Sequence, residues 1–81
     1  MHLYILQSEV DGSHYVGISK DPLFRLSYHN TGKVRSTKHK RPWVIVYTEK
    51  HGSTAEARKR EKFLKSYAGA KEKMNIIASI A

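Results

Sequence analysis

Two short stretches decide the fold: Leu3-Tyr4-Ile5-Leu6-Gln7 and His14-Tyr15-Val16-Gly17-Ile18. The first is β-favouring and apolar on both alternating faces, which suits a strand covered on both sides. Asp11-Gly12-Ser13 lies between them as a turn signal, since Gly and Asp supply the backbone conformations that tight turns need. Together they read as a β-hairpin that opens the chain. Tyr4 and Tyr15 fall in the middle of its two arms, and antiparallel pairing brings such side chains together on one face.

Moving outward, Asp21-Pro22 marks a helix start, with Asp21 as cap and Pro22 in the first turn. This helix is expected over residues 22–30, stopped by Asn30-Thr31-Gly32, with Leu23, Phe24, Leu26 and Tyr28 as its buried surface. Residues 33–41 hold five Lys or Arg and no acid, and read as a loop. Residues 42–49 carry a run of aromatic and β-branched side chains and predict a strand buried on both faces. Ser53 and Glu56 fit a capping box ahead of a second helix that Gly69 ends. A short third helix is expected over residues 70–80. The fold class is therefore α+β, in the order β-β-α-β-α(-α). A small three-stranded antiparallel sheet is flanked by helices, and residues 1–81 form a single domain.

Charge narrows the function. The chain has 81 residues, and 15 Lys and Arg oppose 7 Asp and Glu, a net charge of +8. A small domain this basic meets a polyanion, nucleic acid first and an anionic membrane surface second. Hydrophobic residues make up 40%, too many for a disordered tail. Absence of cysteine excludes a disulfide scaffold, a cysteine-ligated zinc finger and a thiol nucleophile. No segment approaches the roughly 18 apolar residues that span a bilayer, so no membrane span is expected, and with nucleic acid favoured on charge no membrane partner is expected. The N-terminus reads as a strand rather than a signal peptide, and the expected location is cytoplasmic.

The chemistry-bearing residues are few. Arg25 and His29 lie four apart and share a helix face. Glu61 is the only acid between Ala57 and Ala70, in a run of bases. Tyr4 in Leu3-Tyr4-Ile5, Tyr15-Val16-Gly17, Arg25-Leu26-Ser27-Tyr28-His29 and Glu61 in Arg60-Glu61-Lys62 form an ordered set. In that set the chain resembles the GIY-YIG nuclease family over residues 2–67. The likeness is strongest to small stand-alone bacterial members similar to the nuclease domain of the UvrC repair protein. The first triplet keeps only its tyrosine, His2-Leu3 standing where the family has glycine. Ile18 stands where some repair-type members carry lysine, with Lys20 nearby. Lys73 and Asn75 lie near the distance of the family's downstream asparagine.

The resemblance implies a metal-dependent endonuclease-like domain hydrolysing phosphodiester bonds in DNA repair or processing. Its catalytic set is Tyr4, Tyr15, Arg25, His29 and Glu61. Glu61 is implied as the ligand of one divalent metal, Mg²⁺ or Mn²⁺, a hard cation that keeps several waters. Tyr15 is implied as general base or as the group orienting water, with Tyr4 in support. Arg25 supplies positive charge or forks onto a phosphate. His29, where family members carry Tyr or His, relays a proton or contacts phosphate.

Plainer readings compete with these. Glu61 is also placed to pair with Lys65 at i+4, which would make it less available to a metal. Tyr47 reads as a packing residue, and His2, His14, His39 and His51 as surface residues without metal-ligand spacing. Lys33, Arg35, Lys38, Lys40 and Arg41 suit phosphate contacts of weak sequence specificity. DNA is the favoured partner over RNA, and a protein partner would supply specificity that 81 residues lack. The alternative is a non-catalytic nucleic-acid-binding module recruited by such a partner. A small interaction protein whose charge serves solubility is a third reading.

Overall fold

The computed structural model describes residues 1–80. Its centre is β1 (His2–Ser8), flanked antiparallel on one side by β2 (His14–Ser19) and on the other by β3 (Trp43–Lys50), in the order β2-β1-β3. Three helices occur among the described residues: α1 (Pro22–Asn30), α2 (Thr54–Lys65) and α3 (Ala70–Ile80). The α+β order read from the sequence is the one observed, including the third helix.

Because β1 is apolar on both alternating faces, it seeds a core on each side of the sheet. Leu3, Ile5 and Val16 pack with Leu64 of α2, joined by Ile76 of α3. Tyr4, Leu6 and Trp43 form the opposite core with Leu26 of α1. Between Ile5 and Leu6 the β3 partner jumps from Tyr47 to Ile45, leaving Val46 as a bulge. The extra residue lets Val46 and Tyr47 both pack against the cluster around Leu3.

Several expectations need correction. β3 is an edge strand, and Val44 is exposed where burial on both faces was expected; only the central strand has sheet on both sides. In α1, Leu23 and Phe24 are 72% and 67% exposed, while Leu26 is half-buried and His29 is fully buried. The helix turns its Leu26–His29 face to the sheet, so its first two apolar residues face solvent. Glu56 bonds the amide of Gly52 (3.2 Å), one residue before the position a capping box requires, while Ser53 caps the amide of Glu56 (3.2 Å). The basic segment is not a free loop: it carries a 3₁₀ turn, Lys38–Lys40, and a buried Thr37. Tyr47 packs as expected, against the cluster around Leu3, and adds a hydroxyl bond to Glu49; His51, expected as a free surface residue, is bonded to the same carboxylate. Among the described residues, no helix is long and apolar enough to cross a membrane.

Candidate active site

Strand register sets the tyrosines. Tyr4 pairs with Gly17, and Leu6 with Tyr15, so both tyrosines lie on one sheet face. Their ring centroids are 6.4 Å apart. A Cβ on Gly17 would sit 2.5 Å from the Tyr4 hydroxyl and 3.1 Å from the Tyr15 ring. The glycine is needed here for space, because the Tyr4 hydroxyl crosses directly over the β2 backbone.

α1 lays His29 against this pair. Its Nε2 is 3.1 Å from the Tyr4 hydroxyl and its Nδ1 is 2.9 Å from the Thr37 hydroxyl. Thr37 turns its own proton toward the Val34 carbonyl (3.4 Å). Nδ1–H therefore donates to Thr37, and Nε2 accepts from Tyr4. Burial, followed by the nearby Arg25 charge, holds the His29 pKa below its ordinary value, which favours this neutral form. Both nitrogens are engaged and the residue is 0% exposed, so His29 forms the floor of the cluster. Its ring meets Tyr15 edge-on at 4.8 Å, and Trp43 packs on Tyr15 at 6.4 Å.

Tyr4 is 1% exposed. Burial pushes its pKa up; the Arg25 guanidinium opposes this, and Tyr15 and Glu61 add to the rise. Tyr4 stays protonated and donating. Arg25 stacks on the Tyr28 ring at 4.9 Å, one turn along the same helix.

Glu61 comes from α2, which packs against β1 and β2. Its side chain is 17% exposed, and its Oε2 accepts from Lys65 Nζ at 3.2 Å. The same ammonium sits 5.4 Å over the Tyr15 ring. Tyr4, Tyr15, Arg25, His29 and Glu61 thus gather from β1, β2, α1 and α2 at the β2 edge of the sheet. The residues near the family's asparagine do not join them through hydrogen bonds: Asn75 is exposed, and Lys73 lies near His14, whose pKa is lowered by burial and by that charge.

The basic segment divides. Lys33, Arg35 and Lys38 are exposed and have no carboxylate partner among the described residues. Lys40 pairs with Asp11 at 3.4 Å. Arg41 lies against Gly32, whose φ of +82° suits glycine.

Sequence reasoning missed the residues that pin this segment to the site. Thr37 bonds His29 with its hydroxyl and accepts from Trp43 Nε1 with its carbonyl (2.9 Å). Asn30 clamps Trp43, donating to its carbonyl (3.0 Å) and accepting from its amide (2.7 Å). Ser8 donates to the Lys40 carbonyl at 2.6 Å. A lone Ser, Thr or Asn carries no periodic signal by which to find it.

The fold and site define a small α+β domain with a paired-tyrosine, single-carboxylate surface beside a basic segment. Comparison gives it a family: residues 1–75 match the GIY-YIG catalytic domain, and the chain belongs to the GIY-YIG nuclease family. It is 42% identical over 66 residues to a UPF0213 protein of Staphylococcus epidermidis, covering 80% of this chain and 79% of that one. It is 39% identical over 71 residues to a UPF0213 protein of Staphylococcus aureus, covering 86% and 85%. No solved structure matches.

Members of this family act on nucleic acid and generally use a divalent metal. The donor set suits a hydrated hard cation held by one carboxylate: no cluster of three or more acidic or histidine ligands occurs among the described residues. Glu61 Oε1 has no hydrogen-bond partner among them, and Oε2 has only Lys65.

Proposed function

We propose that residues 1–81 form a single-domain, metal-dependent endonuclease. It hydrolyses nucleic-acid phosphodiesters, DNA in preference to RNA, in repair or processing. The observation that carries this reading is the convergence of Tyr4, Tyr15, Arg25, His29 and Glu61 in one cluster, with Tyr4 and His29 buried beneath the others. Glu61 would hold Mg²⁺ or Mn²⁺, which when bound neutralises charge on the scissile phosphate and eases departure of the leaving oxygen.

The chain's own residues supply the rest. Tyr4, kept protonated, donates to His29 and braces Tyr15 by packing. That leaves Tyr15 to take the proton of the attacking water, or to orient it, as water oxygen bonds phosphorus and the opposite P–O bond breaks. Arg25, preset on Tyr28, forks onto a phosphate oxygen. Lys33, Arg35 and Lys38 follow the flanking phosphates, with Lys40 and Arg41 at the segment's end. Specificity beyond this comes from a protein partner.

The test is cleavage of a panel of duplex, branched and single-stranded DNA and RNA with Mg²⁺ or Mn²⁺. Activity should vanish in Glu61→Ala and in Tyr15→Phe. Cleavage that survives Glu61→Ala would refute the assignment. One observation favours a second reading, a binding module that does not cleave: Lys65 already occupies Glu61. That module predicts salt-sensitive binding indifferent to both substitutions and to metal.

A further inference from the structure

We infer that Lys65 is a metal-displaced phosphate ligand. It holds Glu61 before a cation loads, and afterwards places its ammonium on the scissile phosphate beside Tyr15. The inference rests on the reading of Glu61 as the metal ligand. Its basis is a juxtaposition: one ammonium is 3.2 Å from Glu61 Oε2 and 5.4 Å from the Tyr15 ring centroid.

Lys65 follows Glu61 by one helical turn, so the two share a face of α2. It is also the last residue of that helix, and Ser66 is already extended. Its side chain leans back one turn along α2 to Glu61, which also brings the ammonium over Tyr15 of β2. Of its three N–H donors, one is on Glu61, and no other acceptor is bonded to it among the described residues. The side chain is 47% exposed. An exposed pair at this spacing favours its closed form by only about twofold. Lys65 can thus yield the carboxylate cheaply, and a dication on Glu61 repels it toward the nearest anion. In a nucleic-acid complex that anion is the phosphate facing Tyr15.

Other cations nearby are differently placed. Arg60, one residue before Glu61, is committed to Glu49 and Glu72 at 3.0 Å each. Arg25 stacks on Tyr28 and acts on the Tyr4 hydroxyl rather than on Glu61. Among the described residues, Lys65 is the cation seen both bonded to Glu61 and placed over the Tyr15 ring.

The test is calorimetric titration of Mn²⁺ into the full chain, with Lys65→Met, Lys65→Arg and Glu61→Gln, followed by DNA cleavage at saturating Mn²⁺. Lys65→Met should bind Mn²⁺ about two- to fivefold tighter, because a competitor and a like charge are gone, yet cleave about tenfold or more slowly. Lys65→Arg should return metal affinity to within about twofold of the original and recover part of the cleavage. If Glu61→Gln abolishes Mn²⁺ binding but Lys65→Met leaves it unchanged, the Lys65 inference is overturned and Glu61 stands. Tighter Mn²⁺ binding with undiminished cleavage overturns the phosphate role. Absence of Glu61-dependent Mn²⁺ binding overturns both.

Discussion

Two carboxylates in this basic chain have opposite surroundings. Glu49 on β3 accepts from the Tyr47 hydroxyl (2.6 Å), His51 Nε2 (2.6 Å) and Arg60 Nε (3.0 Å), and Arg60 goes on to Glu72 of α3. Burial alone would raise the Glu49 pKa, but those three hydrogen bonds outweigh it and hold it below the ordinary value. Among the described residues Glu61 has one hydrogen-bond partner, Lys65. The side chains are equally exposed, at 17% each, so exposure does not distinguish them; saturation does. Glu49 ties β3, α2 and α3 together, whereas Glu61 keeps coordination capacity open beside the tyrosines.

The largest expected effects separate these two. Glu61→Gln should lower metal-dependent cleavage by about 100-fold or more while leaving the melting temperature nearly unchanged. Glu49→Gln should do the reverse. It removes charge from three bonded partners and should cost about 1–3 kcal/mol, a fall of roughly 4–20 °C in melting temperature for a domain this size, with cleavage per folded molecule retained. Calorimetry and single-turnover cleavage on the same preparations check both.

Next come the groups that brace the tyrosines. Gly17→Ala should displace the Tyr4 hydroxyl and break its bond to His29, lowering activity and costing about 1–3 kcal/mol, read by denaturant unfolding. Thr37→Val strips the acceptor from His29 Nδ1 and should cost about 1–3 kcal/mol, in the same assay.

Stability should also fall in mild acid. The His29 pKa is depressed in the fold, so below about 6.5 the unfolded chain takes up a proton that the native site refuses. The contribution is full above that pH and is lost as pH drops toward the folded value. His14 adds in the same direction. Glu49 adds a second loss at lower pH, as acid protonates its depressed carboxyl. Unfolding midpoints from pH 8 to 4 test the order, and a flat profile would contradict it. The smallest effect belongs to the exposed lysines. Lys33→Ala or Lys38→Ala should each reduce the salt slope of DNA binding by about one, equally across sequences.

Much of this was legible in the sequence, for particular reasons. The hairpin was readable because β1 is apolar at every alternate position and Asp11-Gly12-Ser13 forces a turn. α1 was readable because Asp21 caps it, accepting from the Phe24 amide at 3.2 Å. Strand order was not readable: residues 43–47 look as buried as residues 3–6, and only the tertiary fold makes one an edge and the other the centre. Leu23 and Phe24 misled for the same reason, since a short helix can turn either apolar stripe to the sheet. In the candidate site, the resemblance to the family nominated the tyrosines, Arg25, His29 and Glu61, and the fold brings them near one another. Thr37, Asn30 and the Glu49 network stayed hidden because they work through contacts between residues distant in the chain.

The central claim is that the two carboxylates divide metal binding from structural support. Mn²⁺ titration of Glu61→Gln and Glu49→Gln, below the melting point of each, tests it most directly. One Mn²⁺ site should persist in Glu49→Gln and disappear in Glu61→Gln; retention of the site in Glu61→Gln, or its loss from folded Glu49→Gln, would contradict the division.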